Sequence, residues 1–128
     1  MSQNVKIIET EKASRPLGHY AQATHHAGVI YVSGQLGRGP DMSNEEAGDI
    51  EVQTRRCLGN ILAIVDAAGS SADRLLKVNI YIVDIGLWPA VNKVYSEMLG
   101  SHRPARIVVP TPGLHYGALL EIDAIAAG

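Results

Sequence analysis

One cysteine, Cys57, is all the chain contains, which excludes an intrachain disulfide and suits a reducing compartment. An excess of charge is missing as well. Eleven Lys and Arg residues stand against 13 Asp and Glu, a formal net charge of −2, so the basic footprint of a nucleic-acid binder is absent. Aromatic residues amount to 5%, and no basic stripe interleaved with stacking platforms can be drawn from them. No apolar run approaches the ~18 residues that cross a bilayer. Met1-Ser2-Gln3-Asn4 has neither a charged n-region nor an apolar h-region, so a signal peptide is not expected. A soluble cytoplasmic protein with a single domain over residues 1–128 is the expectation.

Metal and nucleotide signatures are also lacking. His25 and His26 are adjacent on a putative strand and point to opposite faces, while His19, His102 and His115 are scattered. No Cys/His spacing resembles a zinc site. Gly34-Gln35-Leu36-Gly37-Arg38-Gly39 has the wrong order for a dinucleotide fingerprint, lacks the Lys-Ser/Thr of a phosphate loop and runs into Pro40, so it reads as a flexible loop.

What is present is a regular alternation of elements. Val5–Glu9 reads as a strand, and Tyr20–His26 with Val29–Ser33 as a hairpin turning at Ala27-Gly28. A polar, acid-rich loop over residues 41–49 follows. From Ile50 the spacing becomes helical: Cys57, Leu58, Ile61, Leu62 and Val65 form a stripe that Gly69 ends as a left-handed cap. Leu76–Ile82 alternates with period two and reads as a strand. Asp84 is the expected N-cap of a second helix carrying Leu87, Val91, Tyr95 and Met98 and ending at Gly100. Two strands around Arg106 and Glu121 close the chain. The order βββ-α-β-α-ββ predicts an α+β fold, one mixed sheet with both helices on a single face. The other face would carry Asn79, Tyr81, Tyr20, Gln22, Tyr31, Ser33, Arg106 and Glu121, with Val83, Val108 and Ala118 adding apolar area. A half-apolar face of this kind suits a homo-oligomer with ligand sites between subunits.

The last two strands each hold one charge in an apolar run: Pro104-Ala105-Arg106-Ile107-Val108-Val109 and Ala118-Leu119-Leu120-Glu121-Ile122. Such charges are costly to bury unless met by an opposite one. On residue type alone, a structural ion pair between Arg106 and Glu121 or with a neighbouring subunit fits as well as a ligand site. As a ligand site, Arg106 offers a planar fork of donors for a carboxylate. Glu121, partly desolvated by Leu119, Leu120 and Ile122, is the one carboxylate placed for general acid–base work. Tyr20 and Ser33 supply hydroxyls, Gly34 a backbone N–H that no side chain screens, and Asn92 a more remote contact. Trp88 and Tyr95 read as packing residues and Cys57 as an inert core thiol.

Pro104-Ala105-Arg106 with Leu120-Glu121-Ile122 resembles the C-terminal signature of the Rid family, the reactive intermediate deaminases or YjgF-like proteins. Gly18-His19-Tyr20-Ala21-Gln22, Val32-Ser33-Gly34-Gln35 and Val91-Asn92-Lys93-Val94-Tyr95 resemble further family segments in the same order. The resemblance implies a chorismate-mutase-like fold and a homotrimer with sites at its subunit interfaces. The implied activity is hydrolysis of enamine and imine acids of the 2-aminoacrylate and 2-iminobutanoate type to 2-keto acids and ammonia, with no metal or organic cofactor. It also implies substrate binding by Arg106, Tyr20, Ser33, Gly34, Val108 and Asn92, with Glu121 and Arg106 catalytic. Three departures stand out: His19 where the family usually has Pro, Ile107 where a small residue is frequent, and Val108 where many members have Cys, which excludes a thiol nucleophile here. The rival readings are a non-catalytic keto-acid sensor and an RNA-cleaving translation inhibitor, the latter opposed by the acidic balance. A chaperone-like use of the apolar sheet face is a further one.

Overall fold

The computed structural model describes residues 4–41 and 48–128; most of the acid-rich loop lies outside the described residues. Six strands form one mixed sheet in the order β1-β2-β3-β6-β4-β5. They are β1 (Lys6–Ile8), β2 (Ala23–His26), β3 (Val29–Gln35), β4 (Leu75–Ile82), β5 (Ala105–Pro110) and β6 (Leu120–Ala127). Helices α1 (Ile50–Ala67) and α2 (Trp88–Leu99) complete the α+β fold. The observed order is the βββ-α-β-α-ββ expected from the periodicities.

Alternation builds the core. On β4 and β6, Val78, Ile80, Ile82, Leu120, Ile122, Ala124 and Ala126 turn to the helices and are buried, while every second residue turns away. Against them pack Cys57, Leu58, Ile61, Ile64 and Val65 of α1 and Val91, Tyr95 and Leu99 of α2, all in one cluster with the sheet residues. Both helices therefore cover the same face. Cys57 is fully buried and burial pushes its thiol far up, so it stays protonated. The β2–β3 hairpin turns at Ala27 and Gly28, both with positive φ (52° and 77°), the pattern that matches the twist of its strands. Helix α1 ends at Gly69 in the left-handed conformation (φ 83°).

Two expected boundaries differ. Asp84 caps a short 3-10 turn, accepting from the Gly86 N–H at 2.8 Å, and α2 begins one turn later at Trp88 with Pro89 in its first turn. Tyr20 and Gln22 precede β2 instead of lying on it. Gln22 is buried, not on the open face: its side chain accepts from Thr10 N–H at 2.7 Å and donates to the carbonyls of Thr10 (3.1 Å) and Ser14 (3.0 Å). One amide thus satisfies three backbone groups of the segment after β1. Gln22→Ala is expected to cost about 2–3 kcal/mol, read by urea unfolding, and to speed hydrogen exchange at Thr10; a change below about 0.5 kcal/mol would show that water replaces the amide.

Candidate active site

The open face of the sheet is where chemistry gathers. β6 pairs with β3 and β4, and Glu121 lies opposite Tyr81 on the side away from the helices. In β3 the register slips between Val32 and Gln35, so Ser33 and Gly34 form a bulge beside Glu121. The bulge returns Gln35 to the buried side, where its carbonyl accepts from Cys57. The Glu121 side chain occupies the space over Gly34, where a Cβ would stand 2.8 Å from its Oε2. The missing side chain at Gly34, expected to leave its backbone open to a ligand, also admits the carboxylate.

A cavity of about 470 Å³ opens there. Tyr20, Ser33, Gly34 and Glu121 all line it, so four of the expected site residues come together. The Ser33 hydroxyl donates to the Ala21 carbonyl at 2.7 Å, which leaves its oxygen to accept. Burial pushes the Glu121 carboxyl above its ordinary value; the positive charge of His115 opposes this and the negative charge of Asp123 adds to it. Asp123 itself accepts from the Asn79 amide at 2.6 Å.

Arg106, Val108 and Asn92 lie outside this cavity, and for Arg106 and Val108 this corrects the expectation that they share the open face; Asn92 is on α2, as expected. β5 is an edge strand running parallel to β4, with Arg106 opposite Val78 and Val108 opposite Ile80. Both therefore lie on the helix side, and Val108 packs against the core. The parity was hidden because Ile107, Val108 and Val109 are all apolar, so alternation gives no sign of which side faces the helices. The exposed Arg106 guanidinium lies 4.5 Å from the centre of the Trp88 ring and 4.9 Å from that of Tyr95, and it donates to Asn92 Oδ1 at 3.2 Å. Trp88 and Tyr95, read as packing residues, thus also fix an arginine. No Arg106–Glu121 ion pair forms within the chain, because the two side chains leave opposite faces of the sheet.

Other cavity residues were missed. Arg38 and Arg15 line it, as do His115 and Tyr116. Arg38 sat in a segment read as a flexible loop, and His115 had no partner in sequence. Among the described residues, no three His, Cys, Asp or Glu side chains cluster to hold a metal, and no helix is long and apolar enough to cross a membrane.

Comparison with known proteins matches residues 10–128 to the family described as Endoribonuclease L-PSP. A RutC family protein of Pyrococcus abyssi is 40% identical over 94% of this chain and 95% of its own. The 2-iminobutanoate/2-iminopropanoate deaminase of Dermatophagoides farinae is 34% identical over 94% of each chain. Among solved structures, Escherichia coli TdcF with bound serine superposes with a TM-score of 0.88 at 32% identity, over 96% of this chain and 98% of that one.

The environment of Glu121 makes a signed prediction. Its carboxyl, followed by carbon NMR, should titrate above the ordinary value of 4.5. Asp123→Asn should lower the midpoint and His115→Ala should raise it, since each removes one of the two opposing charges. A midpoint at or below 4.5, or shifts of reversed sign, would contradict this electrostatic account.

Proposed function

Because the chain belongs to the Endoribonuclease L-PSP family, which takes in the RutC and Rid proteins, we propose that it is a cytoplasmic imine deaminase, hydrolysing 2-imino and 2-enamino acids to 2-keto acids and ammonia. The observation that carries this reading is a carboxylate of raised proton affinity seated over Gly34 in a cavity lined by the Tyr20 and Ser33 hydroxyls. The deaminase relatives and the serine-bound one lend the substrate class: a small amino-acid-derived carboxylate.

In this scheme Glu121 takes a proton from water as the water oxygen bonds to the C=N carbon of the iminium, giving a carbinolamine. The carboxylic acid so formed protonates the nitrogen. The C–N bond then breaks as the hydroxyl becomes the carbonyl and returns its proton to Glu121, and that proton leaves with ammonia as ammonium. A group serving as base and acid in turn works best with its pKa raised toward the operating pH, the direction burial imposes here. The hydroxyls of Tyr20 and Ser33 hold the water or the developing carbonyl oxygen.

A carboxylate clamp is still needed, and we assign it to Arg106 of a second copy, with Asn92 and Val108 behind it. Two features support this. The guanidinium is exposed at a sheet edge, held from behind by two aromatic rings and Asn92. The open face also exposes Tyr31 (48%) and Ile107 (49%), apolar area that a second copy would cover. A homotrimer with three such interfaces is the arrangement the family resemblance implies. Water is the only co-reactant. RNA cleavage, which the family description names, finds less support in a chain of net charge −2 whose one tryptophan lies against an arginine.

Imines made in situ by an amino-acid oxidase and intercepted by semicarbazide give the test. Glu121→Gln is expected to lower kcat by about 10²–10⁴, and Arg106→Ala to raise KM and lower kcat/KM by roughly 10²-fold. A keto-acid sensor would show no turnover in the wild type, and that result would overturn the reading. Trp88, 4.5 Å from Arg106, adds a binding signal: 2-ketobutanoate should change its fluorescence in the wild type and not in Arg106→Ala. An equal change in both proteins would remove Arg106 from the site.

A further inference from the structure

We propose that Asn60, a buried amide on α1, is a positioning residue of the Glu121 site: it ties two wall segments of the cavity to one point and so sets the size of side chain that a 2-imino acid can carry into it. This rests on the deaminase reading and adds to it a determinant of substrate size.

The place of the residue is the first argument. Asn60 is 3% exposed and shares the inner side of α1 with Cys57, Leu58, Ile61 and Ile64. An amide in such a stripe is costly to bury unless its donors and acceptor are used, and asparagine is a poor helix former. Here they are used, all on main-chain groups distant in sequence. Oδ1 accepts from the Ser14 N–H at 3.3 Å, and Nδ2 donates to the Arg38 carbonyl at 2.6 Å, with the Leu36 carbonyl at 3.5 Å as a weaker second acceptor.

What those main-chain groups belong to is the second argument. Ser14, Leu36 and Arg38 all line the cavity of about 470 Å³ that holds Glu121. The segments around them, residues 14–20 and 36–39, lie in no helix or strand, so side-chain bonds to their main chain decide where they stand. The grip continues toward the chemistry. The Ser14 carbonyl accepts from the Gln22 amide at 3.0 Å, and the Gln22 carbonyl accepts at 2.9 Å from the N–H of Ser33, in the bulge beside Glu121. Without the Asn60 amide, one N–H and one carbonyl lose their partner and turn to water, and the two walls part. Room for a larger side chain follows, together with looser seating of a small one.

The experiment compares imines made in situ from phenylalanine and from 2-aminobutyrate in wild type, Asn60→Ala and Gln53→Ala. Asn60→Ala is expected to raise the ratio of kcat/KM, phenylalanine imine over 2-aminobutyrate imine, by about fivefold or more, the effect of one ordinary hydrogen bond, with a raised KM for the smaller imine. Loss of folded protein alone would lower kcat for both imines by one factor and leave the ratio and both KM values unchanged. Gln53→Ala is the control. Its equally buried amide accepts from the Leu119 N–H at 2.9 Å and donates to the Gly48 carbonyl at 2.8 Å, neither residue lining the cavity, so stability should fall and the ratio should hold. Should Asn60→Ala not fold, Ser14→Pro removes the same N–H without touching α1 and is expected to move the ratio in the same direction. A ratio unmoved by the folded variant, or moved as far by Gln53→Ala, would overturn the proposal. If the wild type hydrolyses neither imine faster than buffer, the deaminase reading fails separately. Calorimetric titration with phenylpyruvate and 2-ketobutanoate then judges the positioning role: a ratio of affinities shifted toward the larger acid in the same variant supports it, and an unshifted ratio overturns it.

Discussion

The contact between Gly34 and Glu121 sets the terms for the rest of the site. A carboxylate in a sheet interior must find room, and here the room comes from a bulge in β3 whose second residue has no side chain. The seat is partly desolvated, so the charged form is disfavoured and the proton affinity rises. His115 and Asp123 adjust that value in opposite directions. A side chain at position 34 would meet this carboxylate, with its Cβ 2.8 Å from Oε2, and Glu121 would have to shift from its present seat.

A second constraint follows from the two faces of the sheet. The helices occupy one face, and parallel pairing with β4 assigns Arg106 to that side, while antiparallel pairing assigns Glu121 to the other. One chain therefore separates Arg106 from the two carboxylates of β6, Glu121 and Asp123. Trp88, Tyr95 and Asn92 hold Arg106 at the edge, as suits a group offered to a neighbour more than one turned inward. On this account oligomerisation completes the site, and the apolar area of the open face and the placement of the arginine are parts of one design.

How far the sequence could be read depended on whether periodicity had contrast. β4 and β6 alternate cleanly, and the stripes of α1 and α2 are amphipathic, so their existence and buried sides were legible. β5 has no contrast, since Ile107, Val108 and Val109 suit either face, and the parity of Arg106 was misjudged. Tyr20 and Gln22 resembled a strand by composition, yet three backbone groups claim the Gln22 amide and bury it. Asp84 carried a cap signal that serves a short turn. Glu121 stood out as a charge inside an apolar run, and the hydroxyls of Tyr20 and Ser33 and the bare backbone of Gly34 gained weight from their resemblance to family segments. Arg38 and His115 were not, because nothing local in sequence shows that a loop after β3 and a turn before β6 meet over one cavity.

Complementation between impaired variants tests the central claim most directly. Glu121→Gln and Arg106→Ala subunits, each expected to retain about a hundredth or less of the wild-type kcat/KM, would be unfolded together, refolded as mixed oligomers and assayed for imine hydrolysis at low substrate. With Glu121 and Arg106 contributed by different copies, random mixing makes about a quarter of the interfaces intact, and activity should return to about that fraction of the wild type. Mixed oligomers no more active than their parents would contradict a shared site.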